Sequence, residues 1–133
     1  MATIRDLVVN RTVFSVEPDI TVAQAVRYLC ENRIGAVAVC ERGQLVGVFS
    51  ERDLMQRVVD KGLEPSAVLV RDVMTRDVFH VSIDDSHHTA RAIMLNKNFR
   101  HLVVLDEAKH LRGFVSMREL LDIDIAESQE LMR

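Results

Sequence analysis

The sequence predicts an α+β fold made of one strand-helix-strand-strand-helix unit used twice. Three observations point there. The phrase GVFSERDL at 47–54 returns as GFVSMREL at 113–120. Strand-like alternation and helix-like spacing of apolar residues follow one another in the same order in each half. The chain of 133 residues is 48% apolar, enough for one domain of ordinary size or for two small halves sharing one core.

The repeat extends well beyond that phrase. RDLVVNRTVFSV is answered by RDVMTRDVFHV, PDITVAQA by IDDSHHTA, and IGAVAVCERGQLVGVFSERDL by FRHLVVLDEAKHLRGFVSMREL. The offset is about 65 residues and shifts by one after Arg42, where a turn absorbs an insertion. Residues 1–65 are read as the first repeat with its N-terminal segment, and 66–133 as the second with its C-terminal tail.

In the first repeat, residues 13–16 are a short strand broken by Pro18 and Asp19. Thr21 is the expected N-cap of a helix whose apolar stripe is Val22, Ala25, Val26 and Leu29. Residues 34–40 form a strand, ERGQ a turn and 45–49 a second strand, antiparallel because the connection is tight. A helix follows over about 50–61, with Gly62 suited to its C-terminal end. The second repeat gives strands over 78–81, 102–105 and 111–115 and helices over 86–97 and 117–122. GLEPS connects the two repeats. Helices of so small a unit shield one sheet face only, so two copies are expected to bury the others together around a pseudo-twofold axis.

Composition removes several function classes. The net charge of −3, with both signs interspersed, leaves no basic patch for nucleic acid. No apolar run reaches bilayer-spanning length, and the first ten residues lack a signal peptide's apolar stretch, so a cytoplasmic protein is expected. Two cysteines, Cys30 and Cys40, are too few for a disulfide scaffold and are read as small core residues.

The repeated Ser-x-x-acid has two physical readings. Ser50 with Asp53, and Ser116 with Glu119, have the spacing of a capping box, in which serine and acid each satisfy a backbone N–H of the first turn. Spacing alone favours that cap. A helix start also offers N–H groups to an anion, and a carboxylate one turn in can accept from two adjacent hydroxyls, as a ribose presents them. Gly47 and Gly113 would let a backbone or a flat ring come close.

The pieces RDVM, PDITVAQA, IGAVAV, FRHLVVLDE, GVFSERDL and GFVSMREL, in this order, resemble a pair of CBS domains, the regulatory modules named after cystathionine beta-synthase. The resemblance runs from about Arg5 to Asp122. It implies two clefts between the repeats for an adenosyl ligand: AMP, ADP, ATP, S-adenosylmethionine or NAD. It places the ribose acid at Asp53 and Glu119, phosphate contacts at Ser50, Ser116, Arg52 and Arg118, and the base beside Val13, Phe14 and Ser15 with Ile34, Gly35 and Ala36. In the second repeat the base positions are 78–80 with 99–101, which include His80, Arg100 and His101.

The repeats depart from the family pattern in different ways. The first has Asp53 but neutral Gly35 and Ala36; the second has basic Arg100 and His101 but the longer Glu119. The first is therefore the better expected site, with phosphate reached by Arg100 or His101. No cofactor is required on this reading, and a homodimer signalling to an unknown partner in trans is expected.

Other chemistry is sparse. His87 and His88 are adjacent, not four apart as on a zinc helix, so no metal site is expected. His80 and His101 open equivalent strands and are expected to face one cleft, while His110 lies in a turn. No nucleophile motif occurs, and Asp84 with Asp85 reads as a turn before a helix. The chain is therefore read as a non-enzyme. Two functions remain: an adenosyl-responsive regulatory module, or an assembly module whose clefts no longer bind.

Overall fold

The computed structural model describes residues 3–9, 11–97 and 101–132. The chain forms α1 (Ile4–Val8), β1 (Ser15–Val16), α2 (Val22–Asn32), β2 (Ala36–Glu41), β3 (Gln44–Ser50) and α3 (Glu51–Asp53), which continues as a π-helical segment, Leu54–Val59. Then come α4 (Val70–Val73), β4 (His80–Ser82), α5 (His87–Lys97), β5 (His101–Leu105), β6 (Leu111–Ser116) and α6 (Met117–Leu131). The α+β class and the doubled order of elements are as the sequence predicts.

Two compact units result, and they do not follow the chain in sequence order. One contains Phe14–Val78; the other joins Met1–Val13 to Phe79–Arg133. The N-terminal segment thus packs with the second repeat, and residues 66–78, which open the second repeat in sequence, with the first.

In the unit Phe14–Val78, β1 runs parallel and β3 antiparallel to the central β2. Val16, Val22, Ala25, Leu29, Val37, Val39, Phe49, Val58, Val70, Val73 and Met74 make its core. Thr21 caps α2 as predicted, accepting from the Gln24 N–H at 3.1 Å while Gln24 accepts from the Thr21 N–H at 2.9 Å. The far end of α2 closes on Arg33 in the left-handed conformation, φ 55°, and the Ile34 N–H returns to the Leu29 carbonyl at 3.0 Å. Ile34 is therefore spent on helix closure, and the strand begins two residues later than expected. The helix expected over 50–61 widens after one turn: the Asp60 N–H bonds the Met55 carbonyl five residues back, at 2.9 Å. In this stretch Val58 is buried while Met55 and Val59 are exposed.

The other unit repeats the plan, with β4 parallel and β6 antiparallel to β5. Its core holds Ile4, Val8, Val81, Ile83, Ala90, Met94, Leu102, Val104, Val115 and Leu120. Even the irregularity recurs: the pairing shifts between Val39 and Cys40 in one sheet and between Val104 and Leu105 in the other. The helix expected over 117–122 continues through the tail, as α6, to Leu131.

One core expectation is corrected. Cys30 is exposed rather than buried. Cys40 is half-buried, and burial pushes its thiol pKa up, as for an inert packing residue.

Candidate functional site

In the unit Phe14–Val78, the repeated phrase ends β3 and begins α3. Ser50 is the N-cap with extended backbone, and it pairs across the sheet with Ala36. The first helical N–H, from Glu51, is taken by the Gly35 carbonyl at 2.9 Å. Asp53 is only 5% exposed, so each of its carboxylate oxygens must be satisfied locally. Oδ2 accepts from the Ser50 N–H at 2.9 Å and the Ser50 hydroxyl at 3.1 Å. Oδ1 accepts from the Thr75 hydroxyl at 2.9 Å, with Arg57 Nε at 3.6 Å.

The capping box is thus formed, and it does more than cap. Arg57 donates to the carbonyls of Val73 at 3.3 Å and Met74 at 2.9 Å. Thr75 and Val48 exchange backbone hydrogen bonds at 2.8 and 2.9 Å. A Cβ on Gly47 would stand 2.8 Å from both the Thr75 carbonyl oxygen and the Met74 sulfur. The close approach expected at this glycine is made by the chain's own segment 74–75.

In the unit of Met1–Val13 with Phe79–Arg133, Ser116 and Glu119 form the same box. Glu119 Oε1 accepts from the Ser116 N–H at 3.1 Å and hydroxyl at 3.2 Å. The extra methylene does not open it; it turns Oε2 outward into an ion pair with Arg11. Gly113, at φ 147°, has the side chain of Val8 over it, 3.4 Å from where a Cβ would be. Here too the segment preceding a repeat fills the space beside the glycine.

The remaining predicted residues are distributed as follows. Val13, Ser15, Arg52 and Arg118 are exposed. Phe14 packs on its core and meets the Tyr28 ring edge-on at 6.3 Å. Ile34, Gly35 and Ala36 are half-buried, and the first two line an open surface cavity of about 350 Å³ together with Val26, Leu29, Cys30, Arg33, Glu51 and Leu54. His80 pairs with Val103, two residues beyond His101, so the register puts both exposed histidines on one sheet face. Arg100 lies outside the described residues.

Sequence spacing missed one group. His87 is 1% exposed, and its Nε2 lies 3.6 Å from Asp124 Oδ1 and 3.5 Å from Glu127 Oε2. The His88 ring is 4.1 Å from that of His87, centroid to centroid. The two imidazoles stay together in the first turn of α5. The missing signal was α6, whose length past residue 122 brings in Asp124 and Glu127 at helical i, i+3 spacing.

The CBS domain family matches over residues 4–60 and again over 70–126, nearly the whole chain. The chain belongs to the CBS domain family. Its solved likenesses include the CBS-domain-containing protein of Agrobacterium tumefaciens, 30% identical with a TM-score of 0.81 over 92% of this chain and 98% of that one. A CBS domain protein of Pyrobaculum aerophilum, complexed with AMP, is 26% identical with a TM-score of 0.81, over 89% of each chain. An uncharacterised protein of Methanopyrus kandleri is 31% identical over 88% of this chain, which spans 60% of that protein's length. A CBS pair is a regulatory module, and the phrase repeated at 47 and 113 marks the strand-to-helix junction of each CBS unit. Among the described residues no helix is long and apolar enough to cross a membrane.

Proposed function

We propose that this CBS pair senses an adenosine-containing ligand and relays its occupancy to a partner or through its own oligomerisation. AMP, ADP and ATP lead the class, with S-adenosylmethionine and NAD as its other members. The observation that carries this reading is the likeness to the P. aerophilum protein, which is complexed with AMP. The chemistry at the junctions supports it: Ser50, Arg52 and Asp53 stand beside Gly35 and Ala36 in one unit, and Ser116, Arg118 and Glu119 beside His101 in the other.

The protein acts in the cytoplasm on this reading and turns nothing over, since the acids at the junctions are committed to helix caps. It works as a homodimer. Exposed Met55 and Val59 on the π-helical segment, and Leu121 and Ile125 on α6, are large apolar side chains at i, i+4 spacing that a twin can cover by an isologous contact.

One observation favours the second reading, an assembly module that binds no ligand. Both oxygens of Asp53 already accept hydrogen bonds from Ser50 and Thr75. The deciding experiment titrates AMP into the protein by calorimetry and thermal shift, with light scattering alongside. A ligand at a hundred times its Kd adds about 2.7 kcal/mol to stability. We expect AMP binding by a dimer, weakened roughly ten- to a hundredfold in Asp53→Asn and little in Glu119→Gln. Absence of binding across AMP, ATP, NAD and S-adenosylmethionine leaves the assembly reading, and a monomer at tens of micromolar removes the dimer.

A further inference from the structure

The group around His87 joins two helices of the unit Met1–Val13 with Phe79–Arg133. His87 and His88 open α5, and Asp124 and Glu127 project from one face of α6. One donor atom each of His87, His88 and Asp124 lie within 4.8 Å of one another. The capping boxes at Ser50 and Ser116 use none of these residues.

The distances distinguish two kinds of contact. Hydrogen bonds between nitrogen and oxygen cluster near 2.9–3.0 Å. His87 Nε2 stands at 3.6 and 3.5 Å from its two carboxylate oxygens, too far for a good hydrogen bond to either. Two ligands held tetrahedrally at about 2.0–2.1 Å from one zinc ion are themselves about 3.4 Å apart. The spacing of this buried imidazole from two carboxylates is therefore that of ligands sharing a metal.

Charge and orientation agree. Arg91, one turn beyond His87, ion-pairs with Asp124 Oδ2 and leaves Oδ1 facing the imidazole. Ligating carboxylates are themselves held by outer hydrogen-bonding partners, and Arg91 is such a partner for Asp124. Asp124 and Glu127 together outweigh Arg91 by one negative charge, so a divalent cation is electrostatically welcome. Two imidazoles and two carboxylates are a borderline donor set, suited to zinc rather than to calcium or magnesium, which take oxygen ligands throughout.

We propose that His87, His88 and Asp124, with Glu127 beside the His87 imidazole, form a zinc site that clamps α5 to α6. His88 is exposed, which gives the ion an entry path and gives the experiment a variant that leaves the core intact. The test is calorimetric titration of the metal-stripped full chain with zinc chloride alone, repeated on His88→Ala and Asp124→Asn. Cobalt(II) absorption reports coordination number. The expected result is one zinc per chain, a raised thermal midpoint, a tetrahedral cobalt spectrum, and affinity lowered at least about tenfold in each variant. Absence of zinc binding, or binding of equal strength in all three proteins, overturns the site and leaves His87 as a buried imidazole packed between acids. AMP plays no part in the titration, so its outcome is independent of the ligand-sensing reading.

Discussion

Asp53 is placed to hold the segment 73–75 to the helix start, and its removal should cost more than the loss of a surface cap. In Asp53→Ala the Ser50 N–H loses its acceptor, a capping loss of about 1 kcal/mol. The Thr75 hydroxyl loses a charged acceptor at 2.9 Å, worth about 1.5 kcal/mol. Asp53 is buried, so water does not replace these contacts fully, and the expected total is about 2–3 kcal/mol. Thr75→Val removes only the second contribution and should cost about 1–1.5 kcal/mol. The double variant should then cost about 1–1.5 kcal/mol less than the sum of the singles, because the Asp53–Thr75 bond can be lost only once. Urea unfolding reads this cleanly. The sequence has one tyrosine and no tryptophan, and Tyr28 lies in α2 of the same unit as Asp53, so intrinsic fluorescence follows that unit. Strict additivity of the two substitutions, or a cost below about 0.5 kcal/mol for Asp53→Ala, would refute the clasp and reduce the residue to an ordinary cap.

One further prediction concerns the same junction and another the turn at Asp106 in the other unit. Gly47→Ala puts a Cβ 2.8 Å from the Thr75 carbonyl oxygen, which is backbone and cannot swing away; overpacking of this kind costs about 1–3 kcal/mol, read by urea unfolding. Asp106 accepts from the backbone N–H groups of His110 and Ala108, both at 2.9 Å, and the His110 bond foremost lowers its carboxyl pKa below the ordinary carboxylate value. The folded state therefore binds that proton less tightly than the unfolded chain. Its contribution is present above the ordinary value near pH 4 and is lost as pH falls through the lower folded value. Asp106→Asn should flatten the acid limb of the stability profile below about pH 4 and leave its shape at neutral pH unchanged, measured by thermal midpoints across pH.

The order of elements was legible because hydrophobic period and capping chemistry agree along each repeat. Thr21, Gly62 and the two Ser-x-x-acid boxes each end or start a helix where their side chains or backbone freedom suggest. What stayed hidden depends on neighbours distant in sequence. Arg33 adopts the left-handed conformation that pattern reading assigns to glycine, so helix closure displaced the start of β2. The helices α1 and α4 are too short to show a period, and each is held by the repeat it does not precede in its own half: Val8 over Gly113, Met74 over Gly47. The His87 group was invisible because its acids lie more than thirty residues further on, in a helix that the sequence reading ended at residue 122.

The doubled phrase keeps its cap in both units, but the third contact of its acid differs, and the cause lies outside the phrase. Aligning RDLVV at 5–9 with RDVMT at 71–75 sets Val9 opposite Thr75. Where Thr75 carries a hydroxyl to donate to Asp53, Val9 carries none and is exposed. The acid of the second copy must find its partner elsewhere, and the longer glutamate reaches Arg11, two residues past Val9. An aspartate beside threonine and a glutamate beside arginine are thus two solutions to one requirement, a segment tied down across the glycine of a strand. The buried aspartate holds its segment through short, shielded hydrogen bonds. The glutamate holds its own through an ion pair with a 42% exposed arginine side chain, which salt weakens. Of the two junctions, the second is the one whose acid can be released at least cost.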